Sequence, residues 1–245
     1  GIGGAKLAKG FYGIDDIELS IVINTGDDEN IHGIKLSPDI DSVMYSLAGI
    51  EGEFGWGQKE DTFNVSNFYK KYKTQLFSIG DKDLALKLFR NQMFNDGKTL
   101  TEITKFFTDF YNLNCALLPM TNDKVSTFVT LADSGEEISF QEYFVKLKHS
   151  VAVSDIRFDG VKDSRPGPEV IESIISAEKI IIAPSNPLVS IGPILAISEI
   201  FSAIQSRRES TVAISPIVGG LALKGPADRL MRELGHEPSV VGVAR

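Results

Sequence analysis

Four aspartates, Asp27, Asp28, Asp39 and Asp41, flank a single strand-to-helix connection. Carboxylates brought that close raise one another's pKa unless a cation sits among them. An all-oxygen set suggests Mg2+, which usually takes one or two carboxylates and completes its shell with substrate phosphate oxygens. Asx-turns and helix-dipole charges account for Asp27 and Asp39 without any metal. They account less well for Asp28 and Asp41. In SPDIDSVMYSL, Ser37 can cap, Pro38 suits the first helical position and Asp39 serves the dipole, so Asp41 is surplus to the local structure.

A second group of residues suits anionic ligands. Gly3 and Gly4, in the opening GIGG, let backbone amides approach a phosphate, and Lys6 adds charge. The alternative is a tight turn that packs a helix on its sheet. Thr25 follows the apolar run IVIN, Ser185 and Asn186 follow IIIAP, and Gly219 follows VAIS. Lys224 precedes the last strong helical pattern and is either a ligand contact or a solvated charge. Ser185-Asn186-Pro187 is likewise a ligand loop or a capped turn.

These loops need a scaffold that delivers them to one edge. ELSIVIN (18–24) reads as a strand and the segment from Pro38 as a helix. DLALKLFRNQMF is helical, and so is the segment from Thr101, where Ile103, Phe106, Phe107 and Phe110 recur at helical spacing. ALLPM, STFVTLA and ISFQEYFV (116–145) read as β-rich runs of an inserted antiparallel unit. Helix and strand then alternate through PEVIESIISA, KIIIAP, GPILAISEIFSAI, STVAIS and PADRLMRELG. Continuous apolar strands such as 180–183 are what a parallel sheet covered on both faces requires. The expected fold is α/β, a Rossmann-like doubly wound, mostly parallel sheet with a small inserted α+β subdomain. One domain spans 1–245, its core about 1–50 and 151–245 and its insertion about 51–150. In such sheets ligands bind outside the carboxyl ends of the strands, so the glycine stretch and the Ser185 loop are expected to share one edge.

Composition narrows the function. The net charge of −8 argues against nucleic acid, which requires a basic stripe. One cysteine, Cys115, allows no internal disulfide and fits a reducing cytosol. No HxxxH or HExxH spacing relates His32, His149 and His236. No apolar run approaches ~20 residues, so no membrane span is expected. The glycine stretch opens without a preceding strand and SVVGVAR stops within an apolar run, which suggests that an N-terminal strand and a C-terminal segment are missing.

The strings GIGGAKLAKG, VINTGDD, SPDIDSVMYSLAG, GWGQKEDTF, GDKDLALKL, LLPMTND, SFQEYFV, PSNPLVSIGPIL and SPIVGGLALKGPADRLMRELG occur in this order. Together they resemble the 2-phospho-L-lactate transferase family of coenzyme F(420) biosynthesis over essentially the whole chain. The resemblance implies transfer of a phosphoester-linked three-carbon acid from lactyl- or enolpyruvyl-diphosphoguanosine to the ribityl hydroxyl of the deazaflavin Fo. GMP leaves, and Mg2+ is required. It further implies a cytoplasmic enzyme and a homodimer, with no nucleic-acid or membrane partner. Lys82 in GDKD departs from the family, where Arg is frequent, keeping charge but losing bidentate geometry.

On that footing Asp41 holds the acceptor hydroxyl or accepts its proton, and Asp28 and Asp41 are the metal candidates. Lys82 and Thr62 stand by Fo, and Trp56 either stacks on its ring or anchors its own loop. Gly3, Gly4, Lys6, Thr25, Ser185, Asn186, Gly219 and Lys224 face the donor. Asp41→Asn is expected to collapse turnover with little change in melting temperature. The rival is a nucleotide-sugar-binding regulator of the gluconeogenesis-factor type, which lacks the acceptor-side strings. An NAD-dependent dehydrogenase fits poorly, because no acid ends a second strand past a full glycine fingerprint.

Overall fold

The computed structural model describes residues 1–53, 55, 57–72 and 79–244. Its first helix, α1 (Ile2–Tyr12), leads into β1 (Ser20–Ile23), the hairpin β2 (Glu29–Ile31) and β3 (Ile34–Leu36), and then α2 (Pro38–Leu47). Three helices follow, α3 (Asn64–Tyr69), α4 (Asp81–Asn95) and α5 (Leu100–Phe110), before β4 (Ala116–Pro119). The strands β5 (Ser126–Leu131), β6 (Glu137–Ser139) and β7 (Val153–Asp159) come next. The remainder runs α6 (Val170–Ser176), β8 (Ile180–Ile182), α7 (Gly192–Leu195), α8 (Ser198–Ser206) and β9 (Thr211–Ala213). It closes with the hairpin β10 (Ile217–Val218) and β11 (Leu221–Ala222), then α9 (Ala227–Glu233) and α10 (Val240–Ala244).

Parallel pairing joins β1 to β4, with Ser20 opposite Ala116, and β8 to β9, with Ile180 opposite Thr211. Antiparallel pairing places β5 between β6 and β7. The protein is therefore α/β with parallel pairs, but the antiparallel unit does not have the expected bounds. ALLP lies in a parallel pair with β1, and ISFQEYFV is strand only to Ser139, turning helical from Glu142 to Lys146. Nor are both faces of the last parallel pair covered, since Ile181 and Val212 are exposed.

Three apolar clusters set the frame. One packs Ala5 and Ala8 of α1 against Ile40, Val43, Met44 and Leu47 of α2, with Ile103 and Phe107 of α5 behind them. A second gathers Leu118, Val170, Ile197 and Ile200, and a third Val129, Ile138, Tyr143, Val189 and Leu230. A capping box fixes the start of α5, where Thr99 and Glu102 satisfy each other's backbone amides. Only Ile103 and Phe107 of the α5 repeat enter the core; Phe106 and Phe110 remain exposed. No single described helix is long and apolar enough to cross a membrane. The bent pair α7–α8 and its preceding turn bury Val189, Pro193, Ile197 and Ile200 inside the protein.

Candidate functional site

The exit of β1 is the polar centre of the fold. Asn24, Thr25 and Asp27 are buried directly after Ile23. Asn24 Oδ1 accepts from the Gly26 amide at 2.8 Å, which turns the chain sharply. Its amide group donates to Asp39 Oδ2 at 3.3 Å and to the Val189 carbonyl at 3.5 Å, tying the turn to α2 and to the loop after β8. The Thr127 amide donates to the Gly26 carbonyl at 2.7 Å, which brings β5 to the same point. A Cβ on Gly26 would stand 2.9 Å from Thr127 Oγ1 and 3.0 Å from Pro193 Cβ, so only glycine fits the crossing without displacing a neighbour.

The glycine stretch meets this centre. A Cβ on Gly3 would lie 2.2 Å from the Pro184 carbonyl oxygen, and one on Gly1 would lie 3.4 Å from Ser185 Oγ and 3.6 Å from Asp39 Oδ1. The start of α1 and the loop after β8 are thus in direct apposition, as an edge shared by the two loops requires. Gly4 faces Ala183. The side-chain oxygen of Asn186 accepts from the Leu188 and Val189 amides and so caps the turn that follows. Lys6 and Lys224 line one cavity of about 180 Å³ with Ile2, Glu51 and Gly55. Gly219 does something else: with Gly220, both at positive φ, it makes the two-residue turn between β10 and β11.

Asp27 and Asp28 form no ion pair among the described residues, although the charge of Arg90 acts on Asp28 and that of the N-terminal amine on Asp27. Burial pushes both well above the ordinary carboxylate range, and the charge of Asp39 pushes Asp27 further. Ser37 donates to Asp28 Oδ2 at 2.7 Å instead of capping α2, which opposes part of that rise. Asp27 Oδ1, Asp28 Oδ1, Thr25 Oγ1 and Thr127 Oγ1 are buried with no hydrogen-bond partner. Unpaired buried acceptors are costly, and a cation relieves that cost. No group of three or more histidine, cysteine or acidic side chains is arranged around a metal position among the described residues. Mg2+ does not need one where phosphate oxygens complete its shell, so the pair Asp27–Asp28 fits that ion.

Asp41 is held differently. Arg90 donates to both of its carboxylate oxygens, through Nη2 to Oδ1 and through Nη1 to Oδ2 at 3.1 Å. Lys87 adds a contact to Oδ2 at 3.2 Å and also reaches Asp83, which accepts from the Tyr45 hydroxyl at 2.6 Å. Burial alone would raise the Asp41 carboxyl, but the two cations hold it below its ordinary value. The surplus carboxylate of the first turn of α2 is therefore the anion of a buried charge network. None of Tyr45, Asp83, Lys87 or Arg90 stood out in the sequence. A signal existed: Asp83, Lys87 and Arg90 recur at helical spacing on a face shared with Leu84 and Leu86.

On the acceptor side, Asp61 caps α4 by accepting from the Lys82 amide at 2.8 Å and the Asp83 amide at 3.1 Å. Asp81 returns the favour to α3, accepting from the Asn64 and Val65 amides at 3.0 Å and from the Thr62 hydroxyl at 2.6 Å. Thr62 is thus engaged with Asp81, while exposed Lys82 extends its amine to the Lys59 carbonyl at 3.4 Å. Trp56 lies outside the described residues.

Comparison with known proteins shows the family. The family model of 2-phospho-L-lactate transferase CofD matches residues 1–244. Proteins named phosphoenolpyruvate transferase are similar to the whole chain. The one from Streptomyces griseus is 40% identical and that from Streptomyces coelicolor 38%, the chain spanning 79% and 78% of their lengths. That from Mycobacterium tuberculosis is 37% identical over 94% of this chain and 72% of its own. Two solved structures of a Bacillus halodurans protein, one described as a UPF0052 member, share the fold at 18% and 19% identity, with TM-scores of 0.58 and 0.64. They align over 83% and 87% of this chain and 62% and 65% of theirs. By its full-length match and these relatives, the chain belongs to the 2-phospho-L-lactate transferase CofD family.

Proposed function

We propose that the protein transfers a phosphoester-linked three-carbon acid from a guanosine diphosphate-linked donor to the ribityl hydroxyl of Fo in coenzyme F(420) biosynthesis, releasing GMP. The observation that carries this reading is the apposition of the glycine stretch and the Ser185 loop beside the unpaired oxygens of Asp27 and Asp28. Amides and Lys6 there suit a diphosphate. The names of the relatives favour the enolpyruvyl donor. Asp27 and Asp28 would hold Mg2+, which when bound neutralises charge developing on the phosphoryl oxygens. Asp28 takes this role in preference to Asp41, whose oxygens are occupied by Arg90 and Lys87. Arg90 and Lys87 hold the Asp41 carboxylate in the ionised form, from which it would orient the ribityl hydroxyl. Backbone amides of α1 orient the donor for in-line attack, with no covalent enzyme intermediate.

The test is incubation of full-length protein with Fo, Mg2+ and each guanylyl donor, read by product mass and GMP release. A product heavier by the transferred group is expected, with turnover lost in chelator and restored by Mg2+. Donor binding without any product would instead identify a nucleotide-binding regulator.

A further inference from the structure

We infer that Thr127, on strand β5 of the antiparallel unit, is a positioning residue for the Asp27 carboxylate. The inference rests on the reading of the β1 exit as a cation and phosphate site. Strand register sets where Thr127 stands. Buried positions 125, 127 and 129 alternate with the less buried 126 and 128, and Val125 and Val129 join the second and third apolar clusters. Thr127, between them, is 2% exposed. Valine would fill the same volume there with no polar atom to satisfy. The threonine hydroxyl is instead buried with no hydrogen-bond partner among the described residues, an arrangement that costs stability.

What the hydroxyl faces explains it. A Cβ on Gly26 would stand 2.9 Å from Thr127 Oγ1, which puts that oxygen over the peptide leading into Asp27. Thr127 also acts on the Asp27 carboxyl itself, opposing part of the rise that burial causes. The same antiparallel unit already fixes the backbone around Asp27. The Thr127 amide donates to the Gly26 carbonyl at 2.7 Å, and Gln141 Nε2 donates to the Asp27 carbonyl at 3.2 Å. Two residues on, the Ser139 hydroxyl donates to Glu29 Oε1 at 3.3 Å. These contacts leave the Asp27 carboxyl to be oriented, and Thr127 Oγ1 is the hydroxyl beside it. Carboxylates that hold a metal are themselves hydrogen-bonded, and losing such a partner weakens metal binding by about 10–100-fold. Thr127 is the donor that would orient Asp27 when a cation engages its carboxylate.

The test is a Mg2+ titration of the full-length protein, followed by melting temperature, for wild type, Thr127→Val and Thr127→Ser. Thr127→Val should raise the Mg2+ midpoint by about tenfold or more. Without Mg2+ it should melt at or above wild type, because an unpaired buried hydroxyl has been removed. Thr127→Ser keeps the hydroxyl and should keep a midpoint near that of wild type. A hydroxyl that only supported the fold would give the reverse, a lower melting temperature without Mg2+ and an unchanged midpoint, and would overturn the inference. So would serine behaving as valine does. Equal Mg2+ stabilisation of wild type and Thr127→Val would remove Thr127 while leaving the cation reading of the site intact. A wild type that Mg2+ does not stabilise would overturn both.

Discussion

Arg90 grips Asp41 with both terminal nitrogens of its guanidinium, and neither residue has appreciable contact with solvent. Removing one partner of a buried pair leaves an uncompensated charge, at a cost of ~3–5 kcal/mol. Asp41→Asn should therefore lower stability by that order, measured by urea denaturation, as well as reduce turnover. The expectation of an unchanged melting temperature, reasonable for a residue in an exposed first turn, does not survive this geometry. A variant as stable as wild type would mean that Arg90 and Lys87 find other partners.

Asp28 should behave in the opposite sense. Burial raises its folded-state pKa above the ordinary 3.8, so the folded protein binds that proton more tightly than the unfolded chain. The stability it contributes is complete below about pH 3.8 and is lost as pH rises through the folded value. Asp28→Asn should remove this decline and raise the melting temperature at neutral pH relative to wild type without Mg2+. Added Mg2+ should stabilise wild type and leave the variant unmoved. Thermal scans between about pH 4 and 8 with identical slopes for both proteins would dismiss the assignment.

The glycines of α1 offer a graded steric test. A methyl on Gly3 would drive into the Pro184 carbonyl at 2.2 Å, a backbone atom with little freedom to retreat. On Gly4 it would meet Ala183 Cβ at an ordinary 3.6 Å, and on Gly10 it would meet nothing within 4 Å. Gly3→Ala should cost ~1–3 kcal/mol and push α1 away from the Ser185 loop. Gly10→Ala should gain ~0.5–1 kcal/mol from helix propensity. Equal melting temperatures for the two would contradict the close approach.

The loop convergence was legible because glycine and small polar residues after apolar runs mark strand exits whatever the packing. The partner of Asp41 was not. Arg90 lies 49 residues away in sequence, and its helix reads as amphipathic with charge assigned by default to solvent. Pattern reasoning treats charged residues as a surface stripe, whereas here Asp83, Lys87 and Arg90 enter the interior because they neutralise Asp41 and one another. The α5 repeat failed for the converse reason. Periodicity assigns all four apolar residues to one face, but α5 packs the core only through Ile103 and Phe107, leaving two phenylalanines without cover. Ser37 shows a third limit, since a residue suited to capping can be claimed by a closer acceptor, Asp28.

The last prediction concerns the exchanged caps Asp61 and Asp81. Each carboxylate satisfies free amides at the start of the helix next to the other, and the Asp81 amide donates to the Thr62 carbonyl at 2.7 Å, so the two turns are bound together. A single cap is worth ~0.5–2 kcal/mol. Asp61→Ala should free the first turn of α4, and with it Asp83, which is one of the two carboxylates that Lys87 contacts. Asp81→Ala should free α3 and loosen its grip on Thr62. Because each change disrupts the turn that positions the other cap, the double variant should lose less stability than the sum of the singles. A coupling of about 0.5 kcal/mol or more is expected for groups sharing one network. Strict additivity in a double-mutant cycle, measured by chemical denaturation, would show two independent caps and would break the structural link from the acceptor loop to Asp41.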